Sequence, residues 1–371
     1  MRTERVLVVG GGLAGLSVGI ALTRAGSHVE VVEKTVHWAE VGAGMYLPGN
    51  AYRAMQALGL GHVVRDRSFQ IKRQVFRDHN GRTLADVDLK DIWGGTGPCL
   101  AITRADLHDA LRESASDVDL HLGIEVAAID QDGVSVRVDF TDGSSDEFDL
   151  LVGADGLHSS VRRHMSGAEP SPVGQVSWRF IANRDSSLSN WTVMLGGART
   201  FLAIPLGGSR TYCYLDLSSN DGTDPTHGDP GRLEDLFGDF DGPAIDLIRA
   251  AAKVPVHFGP IEEVVTDDWV KGGVVLVGDA AHATSPNMAQ GAAMAFEDAA
   301  VLAECLTDQT SVERALGTYV IRRLPRIRWV REQSHRRDRI RSLPAPVRNL
   351  SLQLAGKRIY RSNYVPLMAD L

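Results

Sequence analysis

The sequence predicts an α/β fold, and three short apolar runs predict it. Residues 6–9, 150–152 and 274–277 are each continuously apolar, and each is directly followed by a glycine. Apolar runs without a polar face are typical of strands that helices cover on both sides of a parallel sheet. A glycine after such a strand permits a tight turn into the next helix. The three runs therefore predict one α/β layer system.

The first turn has the spacing of a dinucleotide-binding motif. Gly10 permits the tight turn, Gly12 lets the backbone approach a pyrophosphate, and Gly15 lets the next helix pack against the strand. The helix is predicted over residues 13–25, and its N-terminal amides would hold the phosphate charge. A GxGxxG pattern by itself also fits an ordinary βαβ turn, so its context decides.

The residues after this helix supply that context. A second strand is predicted over residues 29–32, and Glu33 ends it, 18 residues after Gly15. A carboxylate at this point can accept hydrogen bonds from both hydroxyls of an unphosphorylated ribose. Strand, helix and acid together predict a nucleotide site, with a plain βαβ turn as the alternative.

Residues 166–264 have a different character. Four runs separated by glycine-rich turns are typical of short strands. They cover residues 173–181, 191–195, 200–204 and 211–217. These runs predict an antiparallel sheet that forms a second domain.

The motifs lie between residues 10 and 298, so the nucleotide-binding domain is expected to be discontinuous. We predict that residues 1–70, 98–165 and 265–310 form it. Residues 71–97 and 166–264 are assigned to the second domain, and residues 311–371 to C-terminal helices.

The C-terminal segment is helical in pattern from about Val312, with Pro325, Pro344 and Pro346 as predicted kinks or breaks. Residues 322–341 contain nine arginines. They fit a solvated helix face that pairs with acidic residues elsewhere in the chain. They also fit a subunit contact or a docking surface for an anionic cofactor, and the sequence leaves these alternatives open.

Composition limits the classes of partner. The 371 residues are 43% hydrophobic and 23% charged, and 39 basic against 47 acidic residues give a net charge of −8. This charge argues against nucleic acid or an anionic membrane as the main partner. Cys99, Cys213 and Cys305 have no CxxC spacing, so neither a disulfide framework nor a zinc site is predicted. Because the first strand leaves no room for a signal peptide, we expect a cytoplasmic protein.

Three motifs in this order resemble one enzyme family. They are GGGLAG at 10–15, DLLVGADGLHSSVR at 149–162 and GDAAHATSPNMAQGAAMAFEDA at 278–299. They resemble the single-component FAD-dependent aromatic hydroxylases, which include para-hydroxybenzoate hydroxylase and salicylate hydroxylase. The third motif and the chain length are most similar to the smaller enzymes acting on salicylate, 6-hydroxynicotinate or urate. The resemblance covers residues 1–330 approximately.

The resemblance implies a Rossmann-like FAD-binding domain with an inserted antiparallel β-sheet substrate domain and a C-terminal helical segment. It implies tightly but non-covalently bound FAD, with dioxygen as a co-substrate. Because the sequence has no second GxGxxG motif after a strand, NADH or NADPH is expected to dock transiently. The expected partner is a small aromatic substrate, and the protein is expected to be a monomer or a homodimer.

The resemblance also assigns FAD contacts to positions of this sequence. It places Glu33 and Lys34 at the adenosine end and Val126 at the adenine wall. It implies that Arg104 reaches the FAD phosphates or the ribityl chain, and that Asp279 contacts the ribityl chain. The implied cofactor-binding residues are Gly10, Gly12, Leu13, Ala14, Gly15, Glu33, Lys34, Gly44, Arg104, Val126, Asp155, Asp279, Gly291 and Ala292.

Some of these assignments depend on local structure. Backbone amides at Gly291 and Ala292 would face the flavin pyrimidine edge, where a helix N-terminus stabilises negative charge on the reduced ring. Asp155 ends a buried strand and needs partners, for which Arg162 or a cluster of backbone amides are the candidates. Residues 42–44 match the loop beside the flavin that opens toward the substrate.

Four substrate candidates lie on the predicted second-domain sheet. Arg179 or Arg210 could clamp a carboxylate or an anionic ring bidentately. Tyr212 and Tyr214 share one face of a strand, where they could polarise a ring hydroxyl or stack on the ring. For each of the four, a packing or surface role is the alternative.

Further candidates lie in loops on the flavin side. Met45 and Leu47 are candidates for an apolar wall, with core packing as the alternative. The resemblance places Pro286 over the flavin, facing the substrate. His282 lies in the same loop, and its neighbourhood favours a structural role over that of a general base.

The family's chemistry is carried by the cofactor. Reduced flavin reacts with dioxygen to give a C4a-hydroperoxide, whose distal oxygen is attacked by an electron-rich ring carbon. No catalytic side chain is therefore assigned with certainty, and no metal is expected. Alternatives on the same fold are a non-hydroxylating oxidoreductase, such as an epoxidase, reductase or oxidase, and a non-catalytic FAD-binding sensor.

Overall fold

The computed structural model describes residues 5–38, 43–131, 133, 135–183, 188–219 and 221–371. The strands are β1 (Arg5–Val9), β2 (His28–Glu33), β3 (Gly44–Leu47), β4 (Phe69–Gln70), β5 (Arg73–Asp78), β6 (Thr83–Asp88), β7 (Leu100–Thr103), β8 (Asp119–Leu122), β9 (Val126–Gln131), β10 (Val136–Phe140), β11 (Ser145–Phe148), β12 (Leu150–Gly153), β13 (Ser171–Asn183), β14 (Trp191–Gly196), β15 (Arg199–Gly207), β16 (Arg210–Ser218), β17 (His257–Glu263), β18 (Val270–Lys271) and β19 (Val274–Leu276). The α-helices are α1 (Leu13–Arg24), α2 (Gly49–Ala57), α3 (Gly61–Asp66), α4 (Lys90–Trp93), α5 (Arg104–Ser114), α6 (Ser160–Ser166), α7 (Leu233–Phe237), α8 (Pro243–Ala250), α9 (Asp279–His282), α10 (Gly291–Asp308), α11 (Val312–Arg341) and α12 (Ala345–Tyr364).

The predicted apolar runs form the core of one sheet, called the parallel sheet below. Its strand order is β18-β19-β12-β1-β2-β8, and every pair is parallel except the edge pair of β18 and β19. The three strands with glycine turns, β19, β12 and β1, are direct neighbours. The carboxyl ends of parallel strands lie at one edge, so the three predicted turns meet there. The strand order reverses at β1, and this is where open α/β sheets bind ligands.

The glycines of the first turn are required by packing. Gly10 has φ +109°, and a Cβ on it would lie 2.5 Å from the Ala154 carbonyl oxygen. A Cβ on Gly15 would lie 1.8 Å from the Gly10 carbonyl oxygen. Helix α1 therefore lies directly against the end of β1, as the sequence predicted.

A second sheet, called the large sheet below, has the order β17-β13-β16-β15-β14-β5-β6. The four strands predicted between residues 173 and 217 are present as β13 to β16, and their mutual pairs are antiparallel, as predicted. One further pair, β14 with β5, is parallel. The remaining described strands form two three-stranded sheets, β11-β10-β9 and β3-β7-β4.

The two faces of the large sheet are used differently. One face carries Trp178, Phe180, Phe201 and Leu215, which pack against α7 and α8 in a closed apolar cluster. Side chains alternate between faces along a strand. The side chains on the opposite face, which include Tyr212 and Tyr214, therefore point away from that cluster.

The C-terminal segment forms two long helices. Helix α11 continues through Pro325, so this proline does not end it, while Pro344 directly precedes α12. Helix α12 lies on β6, where a Cβ on Gly356 would be 2.5 Å from the Ala85 Cβ. In the described ranges, no helix is both long and apolar enough to cross a membrane. Cys99, Cys213 and Cys305 are free and buried.

Candidate active site

A cavity of about 500 Å³ lies between the turns of the parallel sheet and the open face of the large sheet. Gly12, Asp279 and Gly291 line one end of it. Tyr214 on the large sheet and Tyr360 on α12 line it further on. The cavity therefore joins the predicted nucleotide turns to the predicted substrate sheet.

The first turn opens into this cavity at Gly12. A Cβ built on Gly12 would have no neighbouring atom within 4 Å, whereas a Cβ on Gly10 or Gly15 would clash with the backbone. Gly12 is also the residue before the first turn of α1, where the unpaired amides and the helix dipole attract an anion. Leu13 and Ala14 line the cavity beside it. The space at Gly12 thus fits a pyrophosphate.

The predicted adenosine end lies beyond the cavity wall. The Glu33 carboxylate accepts hydrogen bonds from the Gly11 amide at 2.8 Å and from the Thr35 amide at 2.9 Å. Lys34 is exposed and Val126 is half-buried at the start of β9. Glu33 therefore lies against the first turn, at the carboxyl end of the strand next to β1.

Asp155 is held by backbone amides, one of the two arrangements that the sequence left open. Its carboxylate accepts hydrogen bonds from the Ser160 amide at 2.7 Å and the Val161 amide at 3.2 Å. Arg162 instead donates to carbonyl oxygens, including that of Ala280 at 2.9 Å. Asp155 thus caps α6, and its neighbours Ala154 and Gly156 line the cavity.

Asp279 and the N-terminus of α10 lie together at the cavity. The Asp279 Oδ1 atom would be 3.8 Å from a Cβ on Gly291, and both residues line the cavity with Ala292. Arg104 also lines it, as the first residue of α5, and its amide donates to the Ala43 carbonyl at 2.8 Å. The α10 N-terminus provides a positive dipole end at this wall.

A buried ionic cluster supports these turns from behind. Asp298 Oδ2 accepts a hydrogen bond from the Gly278 amide at 2.9 Å and lies 2.7 Å from His282 Nε2. Arg323 binds Asp298 Oδ1 at 2.7 Å and Glu297 at 2.6 Å. Burial favours the neutral form of Asp298, but His282 and Arg323 hold its pKa well below the ordinary value. His282 therefore has a buried carboxylate as its partner.

The same cluster ties three helices together. Glu297 accepts from Asn50 of α2 at 2.8 Å and from Arg326 of α11 at 2.7 Å. Arg326 also donates to the Leu367 carbonyl at 2.8 Å. Several arginines of residues 322–341 therefore pair with acids and carbonyls inside the molecule.

Three of the predicted substrate residues face the cavity together. Arg179 is opposite Tyr214 in the pairing of β13 and β16, and Tyr212 lies two residues earlier on the same face. Burial raises the pKa of Tyr212 to about 12 and raises that of Tyr214 further, while the Arg179 charge opposes both shifts. Both tyrosines are therefore neutral phenols at pH 7 and can donate hydrogen bonds.

The loop candidates divide into two groups. Met45, Gly44 and Pro286 line the cavity, and a Cβ on Gly44 would lie 2.4 Å from the Tyr212 Cβ. Leu47 is fully buried and is absent from the described cavity lining, so it packs in the core. Gly42 lies outside the described residues.

Arg210 is not brought to the cavity. It is the first residue of β16, its side chain is about half exposed, and its guanidinium lies 3.7 Å from Asp106. Strand alternation puts it on the face of Tyr212, but its position at the strand end leaves it at the surface.

Residues 3–334 match the protein family described as FAD binding domain. The chain belongs to this family. Aurachin C monooxygenase/isomerase of Stigmatella aurantiaca is 33% identical over 337 residues, which are 86% of this chain and 85% of the relative. The 3-amino-4-hydroxybenzoate 2-monooxygenase of Streptomyces cremeus is 32% identical over 352 residues, 90% of this chain and 87% of the relative.

A solved structure shows the same fold and the same cofactor. Klebsiella pneumoniae HpxO in complex with FAD and uric acid superposes with a TM-score of 0.89 at 26% identity, covering 98% of this chain and 97% of that one. This chain is thus a flavoprotein monooxygenase with FAD as its cofactor. The predicted family, α/β fold class and cofactor are confirmed.

Several cavity residues of this family member were not anticipated from its sequence. Gln74 of β5 and Trp191 of β14 line the cavity, as do Arg337, Arg341 and Tyr360 of the C-terminal helices. The arginine-rich segment was a visible signal for α11. The sequence carries no local signal for Gln74 and Trp191, because they become neighbours only through the pairing of two strands that are far apart in the chain.

Proposed function

We propose that the protein is an NAD(P)H-consuming monooxygenase that hydroxylates a small, electron-rich aromatic or heteroaromatic ring. One observation carries the proposal: a single cavity joins Gly12 and the α10 N-terminus to the sheet face with Arg179 and Tyr214. A cofactor at the first end and a ring at the second would share one cavity. Relatives that act on an aminohydroxybenzoate or bind uric acid support a substrate of this kind.

The residues at the first end fit FAD. Open space at Gly12 and the α1 N-terminus would accept the pyrophosphate, and Glu33 could exchange its bond to the Gly11 amide for the ribose hydroxyls. Arg104 and Asp279 would hold the chain between the phosphates and the ring. The N-terminus of α10 would stabilise negative charge at the flavin pyrimidine edge. Bound FAD supplies the activation of dioxygen and the transfer of one oxygen atom.

The residues at the second end would bind and orient the ring. Arg179 contacts Ser177 at 3.3 Å and could exchange that weak bond for an anionic ring oxygen or a carboxylate. Tyr212 and Tyr214 would donate hydrogen bonds to ring substituents, since both remain protonated at neutral pH. Leu202 and Val193 continue the row beyond Tyr214 on the cavity wall and would keep water away from the reacting carbon.

The expected organisation is also part of the proposal. We assign residues 1–70, 98–165 and 265–310 to the FAD-binding domain, and 71–97 and 166–264 to the substrate domain. The strand composition of the parallel and large sheets supports this division. We further propose a monomer or homodimer in the cytoplasm. Three buried free cysteines support a reducing compartment.

The test is NADH and NADPH oxidation by the FAD-loaded protein over a panel of phenolic and heteroaromatic acids, with peroxide measured in parallel. Fast oxidation with little peroxide for one compound, and a product heavier by one oxygen atom, is the expected result. Oxidation that yields only peroxide with every compound would contradict hydroxylation of this substrate class.

A further inference from the structure

Two polar side chains stand side by side in the floor of the cavity. Gln74 of β5 and Trp191 of β14 are partners in the parallel pairing of these strands, so their side chains lie on the same face. Both line the cavity, and so do Ile204 and Tyr212, which continue the row across the sheet. Gln74 and Trp191 therefore belong to the cavity wall next to the predicted substrate residues.

Neither side chain has a hydrogen-bond partner among the described residues. Both amide atoms of Gln74 and the indole Nε1 of Trp191 are buried and unpaired. Gln74 has no exposed surface and Trp191 is 3% exposed. The Trp191 ring is fixed by Tyr46, with ring centroids 4.2 Å apart. Buried polar groups are nearly always paired in folded proteins, because an unpaired one destabilises the fold.

The row that follows along the two strands is apolar. Phe76 and Val193 follow in the next row of the same face, and both line the cavity. Apolar side chains would satisfy the packing at Gln74 and Trp191 equally well. A ligand that pairs with the amide and the indole is the explanation that the geometry supports.

We propose that Gln74 and Trp191 form a neutral recognition element for a nitrogen-heteroaromatic lactam. A primary amide presents one acceptor and one donor side by side, which complements the N–H and C=O of a ring lactam. The indole N–H adds a donor for a further ring oxygen. The terminal torsion of Gln74 has broad energy minima, so the amide can turn to meet the ligand. This assignment rests on the proposed function, because it names the substrate class of the same cavity.

This element and Arg179 recognise different properties of a ligand. Arg179 favours a negatively charged ligand, whereas Gln74 favours a ligand with a hydrogen-bond donor beside an acceptor. A phenol or hydroxybenzoate lacks such a pair and would leave the amide unsatisfied. Sites built to pair with a substrate N–H or O–H discriminate strongly against analogues without it. The chain is therefore expected to prefer lactam rings over carbocyclic phenols.

The experiment is a binding titration of the oxidised, FAD-loaded protein, followed by the change in flavin absorbance. The probes are 4-hydroxyquinolin-2(1H)-one and its N-methyl derivative, which differ in the lactam N–H. We expect the wild type to bind the N–H compound at least about tenfold more tightly. The variant Gln74→Met, similar in length and shape, should reduce this preference to below about twofold. Gln353→Met, an exposed change on α12, should leave it unaltered.

The outcomes separate this inference from the proposed function. A wild type without the N–H preference, or a Gln74→Met variant that keeps it, would overturn the inference. If Gln74→Met does not retain FAD, Trp191→Phe replaces it and must weaken binding of the N–H compound without changing FAD content. NAD(P)H oxidation and peroxide are measured on the same ligands. Gln74-dependent binding without hydroxylation would contradict the function and leave the recognition element in place.

Discussion

Gly10 and Gly15 of the first turn are required by packing, whereas Gly12 leaves space for a ligand. Gly15 lies so close to the Gly10 carbonyl that no Cβ fits, whereas Gly12 faces open space. We predict that Gly15→Ala lowers the free energy of unfolding by about 3 kcal/mol through overpacking. Gly12→Ala should leave apoprotein stability within about 0.5 kcal/mol but weaken FAD binding by about tenfold or more.

Denaturant unfolding of the apoproteins and FAD titration by fluorescence measure these two effects separately. If Gly12→Ala bound FAD like the wild type, the pyrophosphate would not lie at this residue.

Two arginines of the large sheet form a matched pair for a test of substrate binding. Arg179 faces the cavity, while Arg210 lies at the surface beside Asp106. We predict that Arg179→Met raises the Kd of an anionic ring substrate by about 10- to 100-fold, because a charge-assisted bond is lost. Arg179→Lys should recover only part of the affinity, since it keeps the charge without the planar fork.

Arg210→Met is the control and should change the Kd by less than about twofold. Its pair with Asp106 is exposed, and such pairs contribute little. Equal effects of Arg179→Met and Arg210→Met would mean that net charge, rather than a contact in the cavity, governs binding.

Helix α11 is anchored to α10 by an internal ion pair rather than by its solvated face. Arg323 is fully buried against Glu297 and Asp298, while Arg328 on the same helix pairs with Asp267 at the surface. We predict that Arg323→Met lowers the free energy of unfolding by about 3–5 kcal/mol, because two buried carboxylates lose the cation that they share. Arg328→Met should cost less than about 1 kcal/mol. Urea denaturation of the two variants compares them directly.

The same cluster predicts an acid dependence of stability. The pKa of Asp298 is held low in the folded protein, so its contribution is complete above the unfolded value of about 3.9. It is lost as the pH falls from there through the folded pKa. Below pH 4, the free energy of unfolding of the wild type should therefore fall more steeply than that of Asp298→Asn. The difference in slope should be up to about 1.4 kcal/mol per pH unit. Unfolding curves between pH 2 and pH 6 measure this slope, and parallel slopes would contradict it.

How far the sequence predicts each element depends on whether its signal is local. The glycine turns, β13 to β16 and the shared face of Tyr212 and Tyr214 follow from patterns within a few residues. The partner of Asp155 remained a choice between Arg162 and backbone amides, because it depends on the path of the chain after β12. The pairing of Gln74 with Trp191 needs the register of two distant strands. Periodicity does not contain that register.

At the scale of the whole molecule, the cavity is completed by the segment that is last in sequence. Helices α11 and α12 close it over the large sheet, and Arg348 fixes α12 by donating to the Gly197 carbonyl at 3.1 Å. The FAD end, the substrate end and this cover are built from segments that are far apart in the sequence.

The fit of α12 on the large sheet predicts how well oxygen transfer is protected from water. Gly356 lines the cavity where α12 meets β6, and a Cβ there would lie 2.5 Å from the Ala85 Cβ, so Gly356→Ala must push the helix outward. We expect a larger share of NAD(P)H oxidation to end as peroxide, because water reaches the cavity.

Gly317→Ala on α11 is the control, since a Cβ there has no atom within 4 Å. Alanine at this open helical position should stabilise the helix by about 0.5–1 kcal/mol and leave the peroxide share unchanged. The measurement is the ratio of peroxide formed to NAD(P)H consumed at saturating substrate. Unchanged coupling in Gly356→Ala, with an intact flavin content, would mean that the α12 cover is not what excludes water from the reacting ring.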